Sequence, residues 1–250
     1  MRGWNVEAAR VIRNRHWAHD IWLMTLEAPD AVPKAQAGQF FMVVTGSGGP
    51  FLPRAMAPVR FYEQHMDIYY RVVGEGTQQM ARAQAGDNLD VIGPLGTPFA
   101  VRPGPLALIG RGVGMTPLLP IAERARSQGE SVRTYLSARS SPLLLELAGF
   151  QQQGAVFVHT DDQAPGELVT DRLARHLAEG WRPSVVVVSG AHRLMRAVRD
   201  LELRYGFSAW AFVEEKMACG IGWCQGCAIG PQFRLICQDG PALPLAEVVV

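Results

Sequence analysis

All four cysteines of this 250-residue chain, Cys219, Cys224, Cys227 and Cys237, crowd into one short stretch near its C-terminal end. A secreted disulfide scaffold spreads its cysteines along the chain, and a reducing cytoplasm does not maintain such bridges. Clustering at one end points to a metal site. The spacing is C-x4-C-x2-C-x9-C, and the first loop reads Cys219-Gly220-Ile221-Gly222-Trp223-Cys224-Gln225-Gly226-Cys227. Plant-type [2Fe–2S] proteins use C-x4-C-x2-C followed by a distant fourth cysteine. Three thiolates from so short a segment reach one small cluster only if the backbone wraps tightly around it. Gly220, Gly222 and Gly226 permit those dihedrals and let backbone N–H groups approach the sulfurs. A structural zinc site is the alternative, but zinc sites usually pair two C-x2–4-C knuckles, and this chain has one C-x2-C.

Three segments succeed one another. From about residue 6 to residue 99 the chain reads as short β segments, with β-branched and aromatic enrichment at 22–26, 40–45 and 66–73. Turn residues separate them at 46–50, 74–76 and 93–96, and 78–84 reads as one short helix. Many short strands between such turns predict an antiparallel β-barrel, here expected to have six strands. At Pro103-Gly104-Pro105 the character changes. Strands are predicted at 106–109, 131–136, 155–159 and 185–189, and helices at 117–126, 142–150, 168–178 and 194–205. Such alternation is the signature of a Rossmann-like parallel sheet covered on both faces. Beyond residue 209 the chain is rich in Gly and Cys and poor in periodic pattern. The expected class is therefore mixed β and α/β, with domains at 1–102, 103–210 and a small cysteine-bearing segment at 211–250.

Charge is balanced, with 24 basic against 23 acidic residues and no block of one sign, so nucleic-acid and anionic-membrane roles have no electrostatic support. Apolar runs such as 185–188 are too short to cross a bilayer, and the opening MRGWNVEAARVIRNRHW lacks a signal peptide's apolar centre. A cytoplasmic location is expected. No G-x-S-x-G elbow, H-E-x-x-H or Walker loop occurs, and the six histidines show no ligand spacing.

Glu214 to Gly222, continuing through Cys227 and Cys237-Gln238-Asp239-Gly240-Pro241, resembles the electron-transfer subunits of class B dihydroorotate dehydrogenases, within the ferredoxin-reductase-like family. The likeness extends over Ala37-Gly38-Gln39-Phe40-Phe41-Met42-Val43, Tyr70-Arg71-Val72-Val73-Gly74-Glu75-Gly76-Thr77 and Gly93-Pro94-Leu95-Gly96. It implies FAD on the barrel, NAD(P) on the second domain, a [2Fe–2S] cluster on the four cysteines, and a separate catalytic subunit. That partner would be an FMN-containing dihydroorotate dehydrogenase barrel. It further implies flavin contacts from Arg54, Ala55, Met56, Ala57, Tyr69, Tyr70, Arg71, Gly76 and Thr77, and nucleotide contacts from the turn at Gly110, Gly112 and Gly114.

The chain also departs from that family. Where the family has Arg-Pro-x-Ser, it reads Arg54-Ala55-Met56-Ala57: the arginine stays available to a diphosphate, while Ala57 offers the flavin ring no hydroxyl. Arg111 replaces a usual glycine, either adding positive charge beside phosphate or blocking the nicotinamide. Ser189-Gly190-Ala191 stands for Cys-Gly-Pro, whereas His159-Thr160-Asp161-Asp162 is retained. Ser137-Ala138-Arg139 offers no carboxylate to a ribose 2′-hydroxyl, and Arg139 suits a 2′-phosphate. Two alternatives follow: the same architecture serving a hydrogenase or sulfide-type complex, or a module that has lost nucleotide binding.

Overall fold

The computed structural model describes residues 4–45, 50–163 and 168–248, so residues 46–49 of the predicted turn at 46–50 lie outside it. Contacts divide the chain into two compact units: residues 1–99 with 215–229 and 233–241, and residues 100–214 with 230–232 and 242–250.

The first unit is built on seven antiparallel strands: β1 (Asn5–Ala18), β2 (Ile21–Glu27), β3 (Phe40–Val43), β4 (Arg54–Met56), β5 (Arg60–Tyr62), β6 (His65–Arg71) and β7 (Asn88–Leu95). Their order is β4-β3-β7-β1-β2-β6-β5. Register irregularities in β1 and β3 act as bulges, which bend strands and curl the sheet on itself. The expected barrel is thus a curled half-barrel of seven strands. The short edge strand β5 folds back on β6 through a tight turn with Glu63 at φ 53°. Inside the curl, Met24, Leu26, Phe41, Met66, Ile68 and Val91 are fully buried.

Helix α1 (Glu75–Arg82) follows β6 and packs on this core through the buried Met80. Its first turn is capped locally. The Thr77 hydroxyl accepts the Val73 and Gly74 N–H groups (3.0 and 3.2 Å) and donates to the Gly74 carbonyl (3.0 Å). Its last turn is clamped by Asn14 of β1, whose Nδ2 donates to the Met80 and Ala83 carbonyls (2.8 and 2.9 Å) while its Oδ1 accepts from the Tyr70 hydroxyl (2.9 Å). Burial raises the Tyr70 phenol well above its ordinary range, so the hydroxyl stays a donor. Replacing Asn14 by Leu strands the Tyr70 phenol and the Ala83 carbonyl, while the Met80 carbonyl keeps the Ala83 N–H (3.1 Å). It is expected to cost about 2–3 kcal/mol, measured as a lower urea midpoint with unchanged slope.

In the second unit, β8 (Leu106–Arg111), β9 (Val132–Ala138), β10 (Ala155–Thr160), β11 (Val185–Ser189) and β12 (Ser208–Phe212) run parallel, in the order β10-β9-β8-β11-β12. Helices α2 (Leu118–Ser127) and α3 (Leu147–Gln153) pack together, as do α4 (Val169–Ala178) and α5 (His192–Tyr205). Val185 to Ser189 is buried throughout, as a central parallel strand requires. Chain order reverses between β8 and β11, which makes their carboxyl ends the switch point where such sheets bind ligands.

Strand β12 falls partly in the stretch whose pattern is weakest. Its Ala209 and Ala211 are buried but small, so its apolar signal is faint. After the short hairpin β13 (Ala228–Ile229) and β14 (Arg234–Leu235) in the first unit, the chain returns as β15 (Ala242–Pro244), antiparallel to β12, and ends in α6 (Leu245–Val248). No helix among the described residues is long and apolar enough to cross a membrane.

Candidate redox-cofactor site

The cysteine loop is shaped by contact with the first unit's own sheet. Gly220 sits at φ 69° against β3 and β7, where an added Cβ would lie 2.6 Å from Met42 Cγ and 3.0 Å from Leu95 Cδ1. Only glycine lets the backbone lie this close. Cys237 is held from the other side by a turn: Asp239 Oδ2 accepts the Leu235 N–H (2.8 Å), and Thr97 Oγ1 donates to the Gln238 carbonyl (2.7 Å). The Thr97 N–H donates to the Gly240 carbonyl (2.7 Å).

Cys227 and Cys237 are buried with their Sγ atoms 3.3 Å apart, while Cys219 is half-buried and Cys224 exposed. Backbone donors face them: Gly222 N–H to Cys237 Sγ (3.1 Å), Cys224 N–H to Cys219 Sγ (3.4 Å) and Gly226 N–H to Cys224 Sγ (3.5 Å). Burial alone would raise the Cys219 thiol, but the backbone N–H groups of Cys224 and Ile221 outweigh it and bring the thiol down to about 7. Burial and the neighbouring Cys227 push Cys237 up to about 12. As thiolates, two sulfurs this close would need a cation between them.

Among the described residues no three His, Cys, Asp or Glu side chains are grouped as they would be around a single ion. The C-x4-C-x2-C loop with a fourth cysteine beyond a hairpin is the plant-type [2Fe–2S] arrangement, whereas structural zinc sites usually pair two C-x2–4-C knuckles. The donor set and its N–H shell therefore fit a [2Fe–2S] cluster.

The same unit carries the candidate flavin residues. Arg54, at the start of β4, lays its guanidinium directly over Gly76 at the N-terminal turn of α1. Its Nη1 donates to the Leu52 carbonyl (2.6 Å), which fixes the fork there. A guanidinium beside a helix N-terminus is a cradle for a diphosphate. Met56 and Ala57 are half-buried and Ala55 is exposed. Tyr69 is buried with its ring edge-on to Trp17 at 5.2 Å. Arg71 is exposed and paired with Asp20. The structure thus brings Arg54, Gly76 and Thr77 together, gives Tyr70 to Asn14 and Arg71 to Asp20, and keeps the Thr77 hydroxyl in the helix cap. Asn14, which fixes α1 from below, was not among the candidates. Its one sequence signal is an amide in an otherwise strand-like run.

In the second unit, Gly110, next to last in β8, packs against Met115 and Leu118, Gly112 adopts φ 57°, and Gly114 packs on Gly190. The hydroxyls of Ser137, Thr160 and Ser189, at the carboxyl ends of β9, β10 and β11, are buried without hydrogen-bond partners. Of the three, Ser189 stands at the β8–β11 switch point, and an orphan buried hydroxyl there is what a polar ligand satisfies. Arg111 and Asp161 form a bidentate ion pair at 3.1 and 2.5 Å.

A curled antiparallel sheet with a phosphate cradle, a doubly wound parallel sheet, and a four-thiolate loop define a ferredoxin-reductase-like flavin and iron–sulfur oxidoreductase chain. Known proteins narrow the class. The sequence model for the iron–sulfur cluster binding domain of dihydroorotate dehydrogenase B matches residues 214–249. The dihydroorotate dehydrogenase B (NAD(+)) electron transfer subunit of Caldanaerobacter subterraneus subsp. tengcongensis is 33% identical over 98% of this chain and 99% of its own. A Thermotoga maritima homolog of that subunit is 28% identical over 95% and 86%. Among solved structures, a chain of the NADH-dependent reduced ferredoxin-NADP oxidoreductase, described for flavin-based electron bifurcation, superposes with a TM-score of 0.84. It is 25% identical, over 99% of this chain and 91% of that one. The chain belongs to the family of dihydroorotate dehydrogenase B electron transfer subunits.

Proposed function

We propose that this chain is the electron-transfer subunit of a dihydroorotate dehydrogenase B, relaying electrons between a nicotinamide nucleotide and a partner catalytic subunit in a hetero-oligomer. The observation that carries this reading is the set of four cysteines with backbone N–H donors on three of their sulfurs, on the unit that also holds Arg54 over Gly76. When bound, FAD supplies exchange between hydride and single-electron chemistry, and the [2Fe–2S] cluster supplies single-electron transfer. Arg54 and the α1 N-terminus would hold the flavin diphosphate. Cys219, Cys224, Cys227 and Cys237 would hold the irons, with the Gly222, Cys224 and Gly226 N–H groups tempering sulfur charge and setting potential. The turn at Gly110, Gly112 and Gly114 would meet the nucleotide. None of these roles needs a general acid or base. We assign three functional segments, 1–102 for flavin, 103–210 for nucleotide and 211–250 for the cluster, and place the chain in the cytoplasm, whose reducing conditions suit clustered thiols.

Adding NADH or NADPH anaerobically to the purified holoprotein tests the relay. Bleaching of flavin absorbance followed by cluster reduction supports it, and no response to either nucleotide would favour a passive electron-transfer module.

The partner should dock at the cluster. A cleft of about 820 Å³ lined by Trp4, Lys34, Gln39, Leu95 and Ile221 reaches Cys237. In the cysteine loop Trp223 is 86% exposed, an unusual place for a large aromatic. Trp223→Ala is expected to weaken capture of the dihydroorotate-oxidising subunit by about 30-fold, or about 2 kcal/mol, while iron and flavin contents stay unchanged. Titration of the two purified subunits reads this directly.

A further inference from the structure

The ion pair at the second unit's switch point is unusual in its position. Arg111 is the last residue of β8, in register with Ser137 of β9, which is in register with His159 of β10. Register neighbours in a parallel sheet share a face. Tyr135, two residues before Ser137, hydrogen-bonds His176 of α4 (2.7 Å), so this is the α4 face. From there the Arg111 guanidinium spans the end of β9 to Asp161, just past β10, and both of its outer donors go to that one carboxylate. Ser137, whose position is in register with Arg111, keeps a buried hydroxyl with no partner.

A carboxylate and a phosphate present the same pair of oxygens to a guanidinium fork. The fork therefore accommodates one or the other. Asp161 is 42% exposed at its side chain, so it is free to swing into water when displaced, whereas Arg111, at 24%, is the more enclosed member. The Arg111 hydrogen bonds hold the Asp161 carboxyl below its ordinary range, with His159 and Arg193 adding to the effect. The Arg193 guanidinium would remain near the site after the carboxylate leaves.

We propose that the Arg111–Asp161 ion pair is a gate on dinucleotide entry, in which the Asp161 carboxylate occupies the guanidinium fork that an incoming pyrophosphate must take. This rests on the nucleotide-binding reading above. It assigns Arg111 a binding role and Asp161 the role of internal competitor, so nucleotide affinity reflects an exchange of anions on one fork. The orphan Ser137 hydroxyl, on the same face as Arg111, then gains a partner only in the liganded state.

Equilibrium titration of the holoprotein with NADH, NADPH and inorganic pyrophosphate tests the gate, with flavin and iron content measured on every variant. Asp161→Asn, or Asp161→Ser should the first fold poorly, is expected to tighten both dinucleotides about tenfold. Arg111→Ala is expected to bind more weakly than the natural protein, and Asp161→Asn added to it should gain little. Pyrophosphate should compete with NADH in the natural protein and lose that ability in Arg111→Ala. Binding no tighter in either Asp161 variant, or tighter in Arg111→Ala, would overturn the gate, the second result making Arg111 a plug. If only Arg111→Ala binds nucleotide, the nucleotide reading survives and the gate falls. If no form binds nucleotide, both fall.

Discussion

Cys237→Ala is expected to yield a protein that keeps its flavin and retains less than about a tenth of its iron and labile sulfide, because a [2Fe–2S] cluster needs four thiolates. The structure makes Cys237 the least replaceable of the set. It is 1% exposed, its sulfur lies 3.3 Å from that of Cys227, and the Gly222 N–H points at it. Water cannot readily reach the site to stand in for the missing ligand. Loss should also be felt as stability, since cluster binding free energy is folding free energy for the segment that wraps it. Residues 219–227 and the β13–β14 hairpin have little apolar mass of their own, and the fully buried Ile236 comes only directly after them. Iron and sulfide analysis with the visible spectrum at 400–600 nm, roughly where such clusters absorb, reads the first effect. Limited proteolysis within residues 215–241 reads the second. Retention of stoichiometric iron and sulfide by Cys237→Ala would remove that residue from the ligand set, and zinc in the natural protein would remove the cluster altogether.

The cysteine spacing was legible because it is local: three ligand positions and three glycines within one loop, with the fourth cysteine ten residues on, need no tertiary knowledge. The alternation of strands and helices over 106–205 was legible for a similar reason. Strands such as 185–189 are apolar throughout, and the helices carry one apolar face. What stayed hidden depends on contacts between distant residues. The seventh strand of the curled sheet, β5, spans only three residues and exists because Arg60 to Tyr62 pairs with β6. Strand β12 hides behind small alanines and is recruited by β11 on one side and β15 on the other. At the sites, Arg54 was visible as a motif residue, but its seat over Gly76 was not, since twenty-one intervening residues had to fold first. Likewise Thr77 reads equally well as a ligand hydroxyl or a helix cap, and only the three hydrogen bonds it makes distinguish them. The change from glycine to arginine at 111 was plain in the sequence. Its commitment to Asp161, fifty positions away, was not.

That seat of Arg54 yields the second large effect. Gly76→Ala should remove the flavin as effectively as Arg54→Ala, although it deletes no ligand. An alanine Cβ at 76 would fall on the Nε, Cζ and Nη2 atoms of Arg54, so the guanidinium has to leave its place over the α1 N-terminus. The fold can bear this, because the displaced group is the tip of a flexible side chain and Gly76 lies within a helix, where alanine is the better former. The helix cap is untouched, since Thr77 makes it with Val73 and Gly74. A phosphate contact through two charge-assisted hydrogen bonds contributes about 1.5–3 kcal/mol. Each variant is therefore expected to raise the flavin Kd about 100-fold, close to 2.7 kcal/mol. Because both act on the same guanidinium, the double variant should be hardly worse than either single one. Arg54→Lys should recover only part of the affinity, since an ammonium lacks the planar fork. The readout is flavin released on dilution, alongside an unchanged thermal midpoint of the apoprotein. Tight flavin binding in Gly76→Ala would mean that the diphosphate is held elsewhere and that Arg54 serves only to close the loop through the Leu52 carbonyl.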